Sequence, residues 1–534
     1  MRPTTRRTAL LSHSNRATSR KRSSNRKRSS SRKRNNRSIN SVSSRRNPAK
    51  TKRRTIRRTT KSSRGEIVAL TNENLTETVP SDSPYLTDAS GYRGQAERLL
   101  IPRDEREVIE IVGAAAVNST PLAIAGAGTG VTGGRVPRSG WIVSLEKFRD
   151  LEIKPGVARA GAGATLTEIQ AAAAASKQFY APDPTEMSAS IGGTLASNAS
   201  GSRSFRYGDT RRHVLSLRVV LADGSVHQWQ RGEKVDFPID PLPVPATTKH
   251  TAGYFLRSGM DWVDLFIGSE GTLGIIVEAE LQLLPVPRDL LTGVVFFPND
   301  DVALDAVDAW RDVSGLRMLE YIDGAALELL RTRFAEIPAT AGAAILIEQE
   351  VRSAAELSDE TDVWLDRLDA AQGLIEESWF AANAADRERF RKFRHAVPEM
   401  VNDIVRKNGC LKMGSDFAVP VARNREMLAF YRERLRAEFP GQYVIFGHIG
   451  DAHVHANILP RSGPEADRAK ALMVELARKS VELGGTVSAE HGLGKHKRHL
   501  LEVQYTPEEI DRMRAVKRRL DPRNLFGRGN LFDL

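Results

Sequence analysis

Cysteine occurs once, at position 410, in a chain of 534 residues. A single thiol excludes internal disulfides and any four-cysteine iron–sulfur cluster built within this chain, and it fits a reducing compartment. Long apolar runs are missing too: none reaches the roughly 20 residues that a membrane-spanning helix needs. Residues 1–64 lack Asp and Glu altogether while carrying 24 Lys and Arg. The formal net charge of +13 therefore describes the tail more than the body, where 55 basic residues face 66 acidic ones.

With almost no apolar residues, RKRSSNRKRSSSRKRNNR cannot offset the entropy of ordering, and residues 1–64 are expected to be a disordered basic tail. Such a run could contact nucleic acid or anionic lipid weakly, by counterion release. A plain solvated extension, or an upstream stretch included by a misassigned start, explains it more simply. Arg6-Arg7 is followed by too short an apolar run for a secretion signal, and the tail's length and lysines argue against a transit peptide. The expected location is the cytoplasm, with peripheral association at an inner membrane as a variant and a mitochondrial address as the eukaryotic alternative.

A Thr-, Ser- and Pro-rich linker leads to Tyr85-Leu-Thr-Asp88-Ala-Ser90. Pro102-Arg-Asp104-Glu105 opens a helix with Val108, Ile111 and Val112 on one face. Leu122–Ala125 reads as a short buried strand. Thr165 and Glu168 form a capping box, and Asp223-Gly224 turns a hairpin between 217–221 and 226–229. After Pro285 and Pro287 the pattern restarts: a strand at 290–297, a helix at 300–313, a strand at 343–350, and helices at 354–372 and 386–407. This predicts a second domain of antiparallel sheet and helices. Residues 446–460 return to strand and loop, and Thr506-Pro507 starts a last helix.

Gly126-Ala-Gly128-Thr129-Gly130-Val131-Thr132-Gly133-Gly134 follows the strand at 122–125. Glycines permit close backbone approach, and successive N–H groups can form an anion nest. Val131 stands where a Rossmann fingerprint wants Gly or Ala, and Gly-Lys-Ser/Thr, required of a P-loop, is absent. The loop suits a pyrophosphate on another fold; taken alone, it suits a tight structural turn equally well. Two more small-residue segments follow. One runs from Pro182-Asp-Pro184 through Gly192-Gly193 to Ser197-Asn198 and Gly201. The other is Gly268-Ser269-Glu270-Gly271-Thr272-Leu-Gly274-Ile275-Ile276.

In the C-terminal half, Phe446-Gly-His448-Ile-Gly-Asp451-Ala-His453-Val-His455-Ala-Asn457 places His453, His455 and Asn457 on one face of an extended segment. Ser488-Ala-Glu490-His491-Gly492 adds a carboxylate and an imidazole. Two His and a Glu suit Zn²⁺ or a similar divalent ion, although exposed or core histidines are commoner on spacing alone.

The three glycine-rich segments, in this order, resemble the FAD domain of the vanillyl-alcohol oxidase type. Within that type the chain is most similar to the group of D-lactate dehydrogenases, D-2-hydroxyglutarate dehydrogenases and glycolate oxidase D-subunits, over roughly residues 80–534. The resemblance implies an α+β protein: a two-subdomain FAD-binding domain, a ferredoxin-like α+β substrate or cap domain, and a C-terminal helical segment. The matching boundaries are 65–95 for the linker and start of the FAD domain, 96–286 for the FAD domain, 287–500 for the cap with its metal site, and 501–534 for the segment returning to the FAD domain.

By the same resemblance, FAD is held without a covalent link by Gly126, Gly128, Thr129, Gly130, Val131, Gly133, Gly134, Pro184, Gly192, Gly193, Ser197, Asn198, Glu270, Gly271, Gly274, Ile275 and Ile276. A divalent metal falls to His448, His455 and Glu490, the catalytic base to His491, and substrate contacts to Asn457 and Arg394. A solvated helix face is the competing reading for Arg394, which sits among many charges. The implied activity is oxidation of a small D-2-hydroxy acid of the D-lactate or glycolate type. The electron acceptor is an unidentified quinone, cytochrome, electron-transfer flavoprotein or iron–sulfur partner, and a homodimer is expected.

Departures from the family pattern include His453 where a Gly-Asp-Gly-Asn run is usual, and Gly527-Arg528-Gly529-Asn530 in place of Asn-Pro-Gly-Lys. Gly414 stands where hydroxyglutarate enzymes carry a substrate lysine, which argues against a second-carboxylate pocket like theirs. An alkyl-glycerone-phosphate-synthase-like transferase and a nucleic-acid-associated protein are the alternatives. The form Ala489-Glu490-His491-Gly492 favours the dehydrogenase over the first.

Overall fold

The computed structural model describes residues 76–534. The basic tail and the first part of the expected linker lie outside the described residues. Among the described residues, no helix is long and apolar enough to cross a membrane.

Asp104 starts the first helix, Glu105–Asn118, by accepting from the Glu107 amide; Val108, Ile111, Val112 and Ala115 form its buried face. That face covers a four-stranded sheet ordered Thr76–Thr78, Arg98–Leu100, Trp141–Ser144, Leu122–Ala125. The strand at 141–144 runs parallel to both neighbours. A second sheet orders its five strands Leu151–Lys154, Val157–Gly161, Ile275–Gln282, Val214–Val220, Val226–Gln230, each pair antiparallel. Gly224, at φ 81°, supplies the left-handed residue that its hairpin turn requires. The Thr165–Glu168 capping box forms with both reciprocal bonds and starts Leu166–Ala174.

Beyond Pro285 the chain builds one seven-stranded antiparallel sheet. Its order is Trp379–Phe380, Asp289–Phe297, Ala343–Val351, Leu316–Ile322, Tyr443–His448, His453–Ile458, Met413–Gly414. Helices Asp300–Trp310, Ala354–Ala370 and Ala384–Lys407 lie close to the expected spans. Strand Leu316–Ile322 and helices Gly324–Arg331, Asn424–Glu438 and Gly463–Glu482 have no counterpart in the sequence reading. The strand is buried at every position, yet Arg317 and Glu320 interrupt its apolar pattern. Each is tolerated because it is paired, Arg317 with Glu348 at 2.6 Å and Glu320 with Arg394 at 2.8 Å.

The last helix, Pro507–Leu520, carries the chain back to the first lobe. Leu122 donates to the Leu525 carbonyl at 2.7 Å, and Gly527 donates to Leu122 at 2.9 Å. Buried Lys517 ties the segment down by donating to the carbonyls of Thr272 (2.6 Å) and Phe526 (2.9 Å). The start of strand Ile275–Gln282 and the edge of the seven-stranded sheet line the two cavities that hold the chemistry.

Candidate active site

The first cavity, about 340 Å³, opens where the three glycine-rich segments converge. Gly126, Gly128, Thr129, Gly130, Val131, Gly134, Pro184, Gly192, Gly193, Ser197, Glu270, Gly271, Gly274 and Ile276 line it. Gly133, Asn198 and Ile275 do not. Gly133 donates to Asp88 at 2.8 Å behind the loop. Asn198 caps its helix in the left-handed region and spends its side chain on Asp209 and the Arg211 amide. The Ile275 side chain faces the core of the opposite layer.

Bare backbone is a steric requirement here. A Cβ on Gly126 would stand 2.4 Å from Ser190 Oγ, and one on Gly192 would stand 2.9 Å from Ala162 Cβ. Ser190 Oγ meanwhile accepts from the Ala127 amide at 3.2 Å. Among the described residues, the amides of Thr129, Gly130 and Val131 find no acceptor. Consecutive outward N–H groups without protein partners form a nest for phosphate oxygens, so the loop fits the pyrophosphate of a dinucleotide.

His448, His455, Glu490 and His491 line this cavity; the three histidines also face the second, about 740 Å³, where Asn457 and Arg394 join them. Strand pairing sets the imidazoles: His448 sits opposite His453, and Phe446 opposite His455. One ligand atom from each of His448, His453, His455 and Glu490 lies within 4.8 Å of the others. His455 points Nδ1 at the Ser415 carbonyl, 3.0 Å away, which fixes the proton there and leaves Nε2 as a free lone pair. His448 Nδ1 contacts Glu320 at 2.6 Å, and its Nε2 lies 3.3 Å from Glu490.

Burial by itself would lower the His448 pKa, but the carboxylates of Glu320 and Glu490 raise it to about 9. Burial and the neighbouring imidazoles hold His455 well below its ordinary value. Four buried carboxylates (Glu320, Asp416, Asp451 and Glu490) meet here with Lys249 and Arg394 as the cations paired to them. A free imidazole lone pair among buried carboxylate oxygens fits a divalent cation. Neither nitrogen of buried His453 has a hydrogen-bond partner; its Nε2 comes within 3.2 Å of Asp416 without hydrogen-bond alignment.

Several residues that organise the site were not legible as site residues. Lys249, fully buried, donates to Glu490 at 2.6 Å and pairs with Asp451 at 3.1 Å. Ser200 donates to the same Glu490 oxygen at 2.9 Å. Asp416 accepts from Ser488 Oγ (2.7 Å) and from the amides of Glu490 (3.3 Å) and His491 (2.9 Å), with Oδ1 left 3.3 Å from His491 Nδ1. Burial pushes the His491 pKa down to about 4, so the ring is neutral. Asn530, inside the departing C-terminal run, ties the glycine loop to the third segment by donating to Gly134 (2.9 Å) and Glu270 (2.8 Å). Lys249 lies 241 residues from Glu490 in a run of small polar residues, and no local spacing marks it.

Arg394 gives its Nε to Glu320, leaving the outer guanidinium nitrogens on the second cavity. Asn457 donates to the His455 carbonyl at 3.1 Å, while its Oδ1 is buried and unpartnered.

Residues 96–229 match the model for an FAD binding domain, and residues 286–531 match that for FAD linked oxidases, C-terminal domain. The glycolate oxidase subunit GlcD of Bacillus subtilis is 30% identical over 479 residues, covering 86% of this chain and 94% of that protein. A D-lactate dehydrogenase of Archaeoglobus fulgidus is 31% identical over 438 residues, 80% of this chain and 90% of its own. A D-2-hydroxyglutarate dehydrogenase of Xanthomonas citri is 29% identical, with coverages of 82% and 89%. Among solved structures, an alkyldihydroxyacetonephosphate synthase superposes with a TM-score of 0.60 at 16% identity, over 82% of this chain and 76% of that one, a likeness of fold.

Proposed function

The chain belongs to the FAD-linked oxidases and is an FAD-dependent oxidoreductase, and from that premise we propose that it oxidises a small D-2-hydroxy acid to the 2-oxo acid. One observation carries the reading. A neutral imidazole, His491, backed by a buried carboxylate, stands between the glycine-lined cavity and a cluster of imidazole and carboxylate donors.

FAD, when bound by the three glycine-rich segments, supplies a two-electron acceptor for the hydrogen on the substrate's C2. A divalent ion on His448, His455 and Glu490 would supply Lewis acidity toward the hydroxyl and carboxylate oxygens of a 2-hydroxy acid. His453 faces the same point and is a candidate fourth donor. His491 takes the hydroxyl proton; the Asp416 carboxylate, 3.3 Å from Nδ1, stabilises its charged form. The outer nitrogens of Arg394 receive the substrate carboxylate, while Glu320 fixes the guanidinium plane. Asn457, on the wall of the second cavity, contacts the substrate beside the hydroxyl. The reduced enzyme passes its electrons to a partner that this chain does not contain.

The test is anaerobic bleaching of the yellow protein over a panel of D- and L-2-hydroxy acids, repeated after chelation. D-acids are expected to bleach it and L-acids not. Insensitivity both to chelation and to His455→Ala would remove the metal from the mechanism. Bleaching by no hydroxy acid would remove the substrate assignment.

A further inference from the structure

A buried imidazole without a hydrogen bond is costly, and His453 is one. We propose that His453 is a direct ligand of the divalent ion. Three imidazoles and one carboxylate then hold the ion and select zinc, cobalt or nickel over the oxygen-seeking manganese and magnesium. This rests on the metal-assisted reading above.

The strand register delivers the ring to the site. Ala452 passes through the left-handed region at φ 50°, and His453 leaves the turn directly opposite His448. His455, two residues on, projects to the same face of strand His453–Ile458. Ring centroids stand 5.4 Å apart for His448 and His453, and 4.6 Å apart for His453 and His455. One donor atom from each of the three, and one from Glu490, lie within 4.8 Å of one another. Four donors each about 2.1 Å from one ion stand about 3–4 Å apart, so a small closure completes the set.

The other two imidazoles each commit one nitrogen to an acceptor: His448 Nδ1 to Glu320, and His455 Nδ1 to the Ser415 carbonyl. His453 commits neither. It is fully buried, and among the described residues neither nitrogen makes a hydrogen bond. Its Nε2 passes Asp416 Oδ1 at 3.2 Å out of alignment, while Asp416 takes its hydrogen bonds from Ser488, Glu490 and His491 on the other oxygen. Packing does not account for an imidazole here, because an apolar side chain would fill the space without stranding two nitrogens. A metal bond satisfies one of them. It leaves the other to Asp416, in the carboxylate–histidine pairing that orients metal-bound imidazoles.

The donor set sorts ions. His448, His455 and Glu490 alone offer two nitrogens and one oxygen, which suits many divalent ions. A third imidazole adds a bond that zinc, cobalt and nickel favour, whereas magnesium and manganese prefer oxygen donors. Being uncharged, it tightens the hold without cancelling the ion's attraction for a substrate carboxylate.

The experiment uses the FAD-loaded full chain, stripped of metal by chelation and dialysis. Zinc and manganese are titrated in competition with a chromophoric chelator, and the visible spectrum of the cobalt form is recorded against the zinc form. Wild type is compared with His453→Phe, which keeps the bulk of a ring without a donor, and with His453→Asn, which offers a shorter amide. His453→Phe is expected to weaken zinc by at least about 100-fold, more than the loss of an outer partner costs. Manganese should weaken by less than about fivefold, so the preference for zinc shrinks. His453→Asn should fall between. Both variants should move the cobalt ligand-field bands, which a residue that only packs beside the site would leave alone. If His453→Phe loses its flavin, His453→Asn decides by the same criteria. Zinc affinity within about threefold of wild type, with an unchanged cobalt spectrum, overturns the proposal. Equal losses of zinc and manganese also overturn it, since His453 would then only shape the pocket. Tight zinc binding that ignores His453 sinks this inference alone. Failure of the wild type to bind any of the three ions sinks the metal reading and this inference together.

Discussion

At the scale of single residues, buried charge decides the most. Glu490 has a cavity on one side and Lys249 on the other, and both side chains are almost wholly buried. Removing one member of such a pair strands the other in low dielectric, at a cost of about 3–5 kcal/mol. Lys249→Met is therefore expected to lower the thermal midpoint sharply and to weaken divalent-ion binding in direct titration, even with FAD retained. An unchanged midpoint would show that Glu490 does not depend on the lysine. Asp416→Asn tests a different function. The asparagine can still accept one amide, but it cannot stabilise a protonated His491. Flavin reduction should slow by a factor of about 10²–10⁴, the usual range for a supported general base, with the flavin absorbance spectrum unchanged. Equal loss of FAD and of rate would mean that Asp416 only holds the loop together. These two residues also mark where sequence reading stops. His448, His455, Glu490, His491 and Asn457 stand close together in two short segments, and the family resemblance assigned their roles. Lys249 and Glu320 reach the same point from separate strands and loops, with partners 241 and 128 residues away, and no local pattern encodes such pairings.

At the scale of elements, the loop after His491 is hooked over the first glycine-rich segment. The amides of Lys495 (3.1 Å) and His496 (2.9 Å) both donate to the Thr132 carbonyl. Glu270, in the third segment, accepts from the amides of Leu493 (2.8 Å) and Gly494 (2.6 Å). Gly494 permits this closeness: its φ is +52°, and a Cβ there would stand 2.2 Å from the Thr132 carbonyl oxygen. Gly494→Ala must push the two loops apart. It is expected to reduce FAD retention and flavin reduction together, read as the flavin-to-protein absorbance ratio and the bleaching rate. A variant that keeps full flavin content would show the contact to be slack. The elements legible in advance were those with local signals: the Asp104 cap, the Thr165–Glu168 capping box, the Asp223-Gly224 hairpin, and the apolar strands at 290–297 and 343–350. The strand at 316–322 was hidden because Arg317 and Glu320 break its apolar pattern and become tolerable only through partners on other elements. Helices Asn424–Glu438 and Gly463–Glu482 are rich in charge with narrow buried faces, so their apolar period is faint.

At the scale of the whole molecule, the C-terminal segment and the first lobe are bound together by groups that must stay neutral. His250 is held between Thr486 Oγ1 at 2.8 Å and the Tyr505 hydroxyl at 3.0 Å. Burial, with Arg257 and Arg211 nearby, pulls its pKa down to about 3. In the unfolded chain the same imidazole titrates near 6.5. The folded value is the lower one, so the unfolded state binds the extra proton on acidification. Stability contributed by neutral His250 is complete above pH 6.5 and is lost progressively as pH falls toward 3. Linkage puts the loss at about 2 kcal/mol by pH 5. Asp323 and Glu270, whose pKa values burial raises to about 7, shift stability in the opposite sense over the same range, so the raw pH profile of the wild type mixes these contributions. The comparison with His250→Gln isolates the imidazole, because the carboxylates are common to both proteins and glutamine does not titrate. At pH 7.5 the wild type should melt above His250→Gln, since the ring bridges two hydroxyl groups on separate segments. Between pH 7.5 and pH 5 the gap should close by roughly the linkage amount, read as thermal midpoints of the FAD-loaded proteins at matched ionic strength. A gap that stays constant across that interval would mean that His250 takes up its proton in the folded state as readily as in the unfolded one, and that its enclosure between Thr486 and Tyr505 does not exist in solution.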